Sequence, residues 1–300
     1  MSASHAEQRI VALVGPSATG KSAVAQRLAP RIGAEIIAVD AFTIYRGMDI
    51  GTATPPVAER AAVPHHLVND LEPEQDCSAQ WFQRRARQAI ADVLSRGRNA
   101  LLVGGSGLYF RAVIDPLEFP PTDPDVRAAL DARYPDAASA FAALQTVDPD
   151  TAARMDPANR RRAVRALEVH DLTGRPFSDW RRCWERYESI YPGLEVVGLD
   201  LPRAALWDRI AARVDAMLAA GFVEEAAALR GKSLSRTAAA AIGYAELWDY
   251  LADRTTLEEA RTRIVVRTRR YAARQRRWFM QDPRVNWMYS TDAVEAFLRP

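Results

Sequence analysis

Ile10-Val-Ala-Leu-Val-Gly15-Pro-Ser-Ala-Thr-Gly20-Lys-Ser22 joins a five-residue apolar run to the pattern Gly-x4-Gly-Lys-Ser. An apolar strand that passes straight into such a loop and then into a helix is a phosphate-binding loop in its proper setting. The glycines let backbone N–H groups of the loop turn inward around phosphate oxygens. The following helix presents its positive end, Lys21 adds a point charge, and the Ser22 hydroxyl can ligate Mg²⁺. Of the 40 basic residues only Lys21 and Lys232 are lysine, so a chain that otherwise uses arginine keeps a compact ammonium where this loop requires one. The motif predicts phosphate binding without naming the molecule that carries the phosphates.

Outward from the loop, a helix is expected over about 21 to 31, a second apolar strand over Glu35–Val39, a helix over about 78 to 96 and a third strand over Asn99–Val103. Strands alternating with helices predict an α/β fold with a parallel, doubly wound sheet. Gly15, Asp40 and Gly104-Gly105-Ser106 stand at the carboxyl ends of these strands, where ligands sit in open α/β sheets. Glu195–Asp200 reads as a fourth strand. The stretch between, roughly 120 to 190, opens with Pro120, Pro121 and Pro124 and continues with helical periodicity, which predicts a helical insertion domain at 120–190 within a core of 1–119 and 191–300. Beyond Arg203, Leu206, Ile210, Val214 and Met217 mark a buried helical stripe, and Gly221 a break.

Three hundred residues with 48% hydrophobic and 26% charged residues suit a globular chain with a sizeable core. The apolar run after the polar start is too short for a signal peptide or a membrane span, so a cytoplasmic protein is expected, without membrane partners. Cys77 and Cys183 lie far apart with no metal-ligand spacing, and are expected to be reduced, incidental thiols. The net charge of +2 hides local concentration: residues 160–165 read Arg-Arg-Arg-Ala-Val-Arg, and Arg261 to Arg277 holds eight arginines in seventeen positions. On a helix Arg263, Arg267, Arg270, Arg274 and Arg277 make one basic stripe, which is either a solvated face or a polyanion surface. Beside it Ile264, Thr268, Tyr271, Gln275 and Trp278 could meet a core or stack on bases.

Candidate chemistry converges on the strand ends. Asp40 is either a carboxylate that holds Mg²⁺, as in a kinase or ATPase, or a general base aimed at an acceptor, and spacing does not separate the two. Ser106 is either a turn residue or a hydroxyl donor to a phosphate. Arg213, four residues beyond Arg209 on one helix, reads from composition as a surface arginine. His65 and His66 have no partner at metal spacing and read as structural or substrate-lining.

The blocks Gly15–Ser22, Asp40–Thr52, Pro64-His-His-Leu67, Val103–Tyr109, Arg165-Ala-Leu-Glu-Val169 with Thr173-Gly174, Ala241-Ile-Gly-Tyr244, and Thr268–Gln275 with Trp278 together resemble the tRNA dimethylallyltransferase family, in order over nearly the whole chain. The resemblance implies a P-loop NTPase-like core and transfer of a dimethylallyl group from dimethylallyl diphosphate to the exocyclic amine of the adenine 3′ of the anticodon, in tRNAs reading codons that begin with U. It implies Mg²⁺ as cofactor, with Ser22 as its ligand. Asp40 would be the general base, and Ser106 and Arg213 would join Gly15, Ser17, Ala18, Thr19, Gly20, Lys21 and Ser22 around the diphosphate. The tRNA anticodon stem-loop would meet Asp40, Ala41, Phe42, Thr43, Arg127, Arg161, Arg162, Arg165, Gly243, Tyr244, Arg274, Gln275 and Trp278. The chain is expected to act as a monomer. It departs from the family in Ala41, where Ser is frequent, in Ala273, where a basic residue is frequent, and in Ser22 and Ser106, which replace Thr. An isopentenyltransferase of free adenine nucleotides and a P-loop kinase or ATPase are the alternatives. The first has little need of a large basic surface, and the second lacks a second carboxylate at the third strand end.

Overall fold

A computed structural model describes residues 8–298. The chain divides into two compact units, one of Met1–Ile114 with Ser189–Pro300 and one of Asp115–Glu188, so the first break falls a few residues before the prolines that open the second unit in the sequence and the second break just before residue 190. The start of the chain, Met1 to Glu7, and the Cys183 side chain lie outside the described residues.

The first unit runs β1 (Ile10–Val14), α1 (Lys21–Arg31), β2 (Ala34–Val39), α2 (Asp49–Thr52), α3 (Val57–Ala62), β3 (His65–His66), α4 (Ala79–Ser95), β4 (Asn99–Gly104) and α5 (Gly107–Ile114). The second unit holds α6 (Pro124–Arg133), α7 (Ala137–Val147), α8 (Pro149–Ala152), α9 (Arg160–Thr173) and α10 (Phe177–Arg181). The first unit resumes with β5 (Glu195–Leu199), α11 (Arg203–Ala219), α12 (Phe222–Leu229), α13 (Arg236–Ala239), α14 (Tyr244–Tyr250), α15 (Leu257–Phe279), β6 (Val285–Met288) and α16 (Thr291–Phe297).

Among the described residues the strands form one six-stranded sheet in the order β3-β2-β4-β1-β5-β6, every pair parallel. β1 is central and buried along its whole length, as a strand covered on both faces must be. Its alternate residues separate two cores. Val11 and Leu13 pack with Val24 and Leu28 of α1, while Ile10, Ala12 and Val14 pack on the other face with Phe82 and Ile90 of α4. The two outer strands β3 and β6 are four residues or fewer and carry little sequence signal. The 23-residue α15 starts at a capping box in which Thr256 and Glu259 satisfy each other's backbone N–H groups.

In the second unit α6, α7 and α9 enclose a small core of Leu130, Ala140, Leu144, Val164 and Leu167. Beside it Glu168 is fully buried and accepts from Thr122 Oγ1 at 2.8 Å, the Asp123 N–H at 2.9 Å, Arg165 at 2.7 Å and Arg127 Nε at 2.8 Å. Burial alone would raise its pKa, but these donors outweigh burial and hold it below the ordinary glutamate value. Arg165 also donates to the carbonyls of Pro120 and Pro121, both at 2.8 Å. Arg127 and Arg165, which sequence reasoning offers to tRNA, both bind Glu168, whereas Arg161 and Arg162, on the same helix as Arg165, are exposed.

Candidate active site

β1 ends at Gly15, whose φ of +136° belongs to glycine and whose Cβ, if present, would lie 2.3 Å from the Leu199 carbonyl of β5. From there the loop turns over the strand ends, with Ala18 at φ +66°, and enters α1 at Lys21. Lys21 is buried; its Nζ donates to the Pro16 carbonyl and lies 3.5 Å from Thr19 Oγ1. Burial first, and the nearby Arg213 charge second, push the Lys21 pKa down to about 7, against opposing pulls from Asp40 and Asp200. An ammonium so placed lacks its natural counter-charge, which an entering diphosphate would supply.

A cavity of about 570 Å³ opens over this loop, lined wholly by residues of the first unit. Ser17, Ala18, Gly20, Lys21 and Ser22 form its phosphate end, and Asp40, Phe42, Thr43, Gly104, Gly105, Arg209, Arg213, Tyr271 and Gln275 join them. Asp40 Oδ1 accepts the Phe42 N–H at 2.8 Å, which aims the carboxylate from the end of β2. Burial raises its pKa above the ordinary aspartate value in spite of backbone donors from Phe42 and Thr43 and the charges of Lys21 and Arg213. A carboxylate so shifted is a stronger base once ionised. Arg213 lies in the cavity wall, and its pKa is lowered by burial and held up by Asp40. The surface reading of Arg213 from helical spacing is thereby corrected: Arg209, one turn earlier on the same face, is exposed, but Arg213 is half-buried in the cavity wall.

Ser106 is drawn in from the end of β4, its Oγ accepting the Ala41 N–H at 3.2 Å. α15 reaches the loop as well. Gln275 Oε1 accepts from Ser17 N at 2.9 Å and from Ser17 Oγ at 3.1 Å, and Tyr271 is within hydrogen-bonding reach of Ser106 and Gln275. Thr43 is 9% exposed and its hydroxyl finds no hydrogen-bond partner among the described residues, leaving an unfilled polar contact in the cavity wall. Gly243 and Tyr244 stand behind that wall rather than at the phosphate end; the Tyr244 hydroxyl donates to Glu225 at 2.8 Å. Ala41 and Phe42 are half-buried, and Trp278 is 40% exposed at the end of α15.

The basic stripe of α15 is uneven. Arg263 pairs with Asp249 at 3.4 Å and Arg267 with Glu246, so the first half is neutralised. Arg270, Arg274 and Arg277 are exposed, Arg274 lying 5.7 Å from the Tyr271 ring centroid. The mixed stripe beside it divides in the same way: Ile264, Thr268, Tyr271 and Gln275 line the cavity, and Trp278 reaches solvent. His66 pairs with Glu35 at 2.7 Å and His65 bonds the Val63 carbonyl at 2.7 Å while lining the cavity, and no cluster of three metal-binding side chains exists among the described residues. Arg209 and Glu225 carry no motif. Arg209 is legible only as the residue one turn before Arg213, and Glu225 not at all.

The donor set fits one hard cation at the phosphate end. Ser22 is an exposed hydroxyl on the first turn of α1, and a metal there would take its other oxygens from diphosphate and water, which is how Mg²⁺ is commonly held. No helix among the described residues is long and apolar enough to cross a membrane.

Comparison with known proteins agrees with this arrangement. The family model described as IPP transferase matches residues 43–282. A tRNA dimethylallyltransferase of Nocardioides sp. is 48% identical over 94% of this chain and 92% of its own length, and one of Bifidobacterium longum is 46% identical over 94% and 86%. The crystal structure of the full-length tRNA isopentenylpyrophosphate transferase of Bacillus halodurans superposes with a TM-score of 0.70 at 38% identity, covering 97% of this chain and 95% of that one. A eukaryotic dimethylallyltransferase acting on tRNA shares the fold, with a TM-score of 0.81 at 24% identity over 96% of this chain and 75% of its own. With a matching family model over most of its length and relatives near half identity, the chain belongs to the IPP transferase family, that of the tRNA dimethylallyltransferases.

Proposed function

We propose that the chain transfers the dimethylallyl group of dimethylallyl diphosphate to the exocyclic N6 amine of the adenine 3′ of the anticodon, in tRNAs that read codons beginning with U. The observation that carries this reading is a phosphate loop sharing one cavity with a single carboxylate of raised pKa, while the neighbouring end of β4 offers Gly104, Gly105 and Ser106 in place of a second carboxylate. The diphosphate is then a leaving group, and no phosphoryl transfer is needed.

In this reaction the bond between C1 of the prenyl group and the bridging oxygen breaks, its electron pair leaves with the diphosphate, and N6 forms the new bond to C1. The amides of Ala18 to Ser22, Lys21 and Arg213 stabilise the charge that grows on the leaving group. Ser106 donates its hydroxyl proton to the same oxygens while its lone pair keeps the Ala41 N–H. Ser22 would hold Mg²⁺, which when bound would supply further neutralisation of that charge. Asp40 Oδ accepts the proton that N6 loses; N6 is weakly nucleophilic because its lone pair is delocalised into the ring, and a positioned base typically contributes ~10²–10⁴-fold. The target adenine leaves the anticodon-loop stack at a cost of a few kcal/mol, which stacking and arginine contacts offset.

Arg161 and Arg162 in the second unit, and Arg270, Arg274, Arg277 and Trp278 on α15, supply exposed basic and aromatic groups suited to an RNA backbone and loop. The test is label transfer from dimethylallyl diphosphate, with Mg²⁺, to unmodified tRNA, with AMP and with ATP as sole substrate in parallel. Label on AMP points to a free-nucleotide enzyme, and ATP hydrolysis without transfer to a kinase or ATPase.

A further inference from the structure

One face of α11 lines the cavity with both charged and apolar residues. Arg209, Ile210, Arg213, Val214 and Met217 all line it, the spacing of one helix face. Arg209 is tied to the phosphate loop by a 3.1 Å bond from its NH1 to the Thr19 carbonyl. One turn further on, Arg213 shares the field of Lys21 and Asp40. One turn beyond that stands Met217, which with Ile210 and Val214 makes the apolar part of this face.

Phe222 follows at the start of α12, lines the cavity and is fully buried. Its ring is fixed from three sides. It lies so close to Gly51 and Gly243 that a Cβ at either would come within 2.3 and 2.5 Å of it. It meets Tyr244 edge-on, with centroids 5.1 Å apart and planes at 86°. Glu225 locks the assembly, its carboxylate accepting the Ile50 N–H at 2.7 Å, the Gly51 N–H at 2.9 Å and the Tyr244 hydroxyl at 2.8 Å. A ring held by three chain segments does not swing aside, so it forms a stop and not an adaptable wall.

We propose that Met217 and Phe222 set the length of the prenyl donor, admitting five carbons and excluding ten. The inference rests on the dimethylallyl reading above and adds the residues that impose it. The rise from Arg213, beside the diphosphate, to Met217 is ~6 Å, which fits a five-carbon chain of about 5 Å and not a ten-carbon chain of about twice that. Glu225 acts as a positioning residue, through Tyr244 and Gly51, on the ring of Phe222.

The experiment gives the full chain equal concentrations of dimethylallyl and geranyl diphosphate with unmodified tRNA and Mg²⁺, and separates the modified nucleosides by mass. The parent is expected to yield the five-carbon product alone. Met217→Ala and Phe222→Ala are each expected to raise the ratio of ten- to five-carbon product at least about tenfold, the discrimination a few methylenes command in an apolar pocket. Phe222→Ala opens a buried site, so its folding is followed by thermal unfolding, and Met217→Ala, which shortens a half-exposed side chain, carries the test if it fails to fold. A parent that uses geranyl diphosphate as readily, or a folded Met217→Ala whose ratio stays unchanged or which transfers neither donor, overturns the proposal. A parent that transfers neither donor instead removes the dimethylallyl reading on which it rests.

Discussion

Asp40→Asn keeps the shape of the side chain and its acceptance of the Phe42 N–H at 2.8 Å, but removes the basic oxygen. Among the described residues Asp40 and Glu59 are the carboxylates that line the cavity, and of the two Asp40 is the one whose pKa burial raises. The whole general-base contribution is then lost, a fall in kcat of ~10²–10⁴-fold or about 3–5 kcal/mol. The same change takes a negative charge away from Lys21 and Arg213, which leaves the phosphate end more positive. Inhibition by pyrophosphate is therefore expected to hold or strengthen while turnover collapses, a split that unfolding does not produce. The assay is single-turnover transfer of labelled dimethylallyl to an anticodon stem-loop at saturating donor, with pyrophosphate inhibition measured on the same preparation. A variant within about tenfold of the parent in kcat would show that Asp40 is not the base.

The remaining expectations concern charge and packing. Burial holds the Lys21 pKa down to about 7, and a bound diphosphate raises it; on binding pyrophosphate at pH 8 the parent should take up more protons than Lys21→Met does, because the ligand's own titration is common to both and cancels. Calorimetry in buffers of different ionisation enthalpy reads the difference, and equal proton uptake by the two contradicts it. Because burial raises the Asp40 pKa, the acid limb of kcat/KM should lie above the ordinary aspartate range and vanish in Asp40→Asn. Replacing Arg161 and Arg162 together by Ala should reduce the slope of log affinity for tRNA against log salt by about 1 to 2 without lowering stability, whereas an unchanged slope places tRNA elsewhere. Glu168→Ala leaves Arg127 and Arg165 without their buried partner and should destabilise the second unit by ~3–5 kcal/mol, seen as early proteolysis within Asp115–Glu188.

Several features of this molecule can be read from sequence because they are local. The strand, glycines and lysine of residues 10–22 specify one another within a few positions, and the β1, β2, β4 and β5 strands are continuous apolar runs that only a covered parallel sheet accommodates. β3 and β6 escape because two and four residues, half-buried in part, hold no period to detect. Asp40 is visible as a carboxylate at a strand end, but its raised pKa depends on walls contributed by α11 and α15, more than 150 residues away. Arg213 shows the same limit, since spacing places it on a helix face without saying whether that face is covered. The arginines show it most plainly. Glu168 claims Arg127 and Arg165, and Asp249 and Glu246 claim Arg263 and Arg267, pairings set by tertiary contact. Composition counts all of these as basic surface; along those two stretches Arg161, Arg162, Arg270, Arg274 and Arg277 are exposed, while Arg263 and Arg276 are exposed but paired with Asp249 and Asp200.

The central claim, that this cavity couples a diphosphate leaving group to an adenine amine of tRNA, is tested most directly by one transfer assay. Labelled dimethylallyl diphosphate and Mg²⁺ are supplied with unmodified tRNA carrying adenine 3′ of the anticodon, with the same tRNA bearing another base there, and with AMP. The account predicts label on the first alone, released on digestion as an N6-substituted adenosine, together with one equivalent of pyrophosphate. Label on AMP, label on the tRNA that lacks the adenine, or pyrophosphate release without any labelled nucleoside would contradict it.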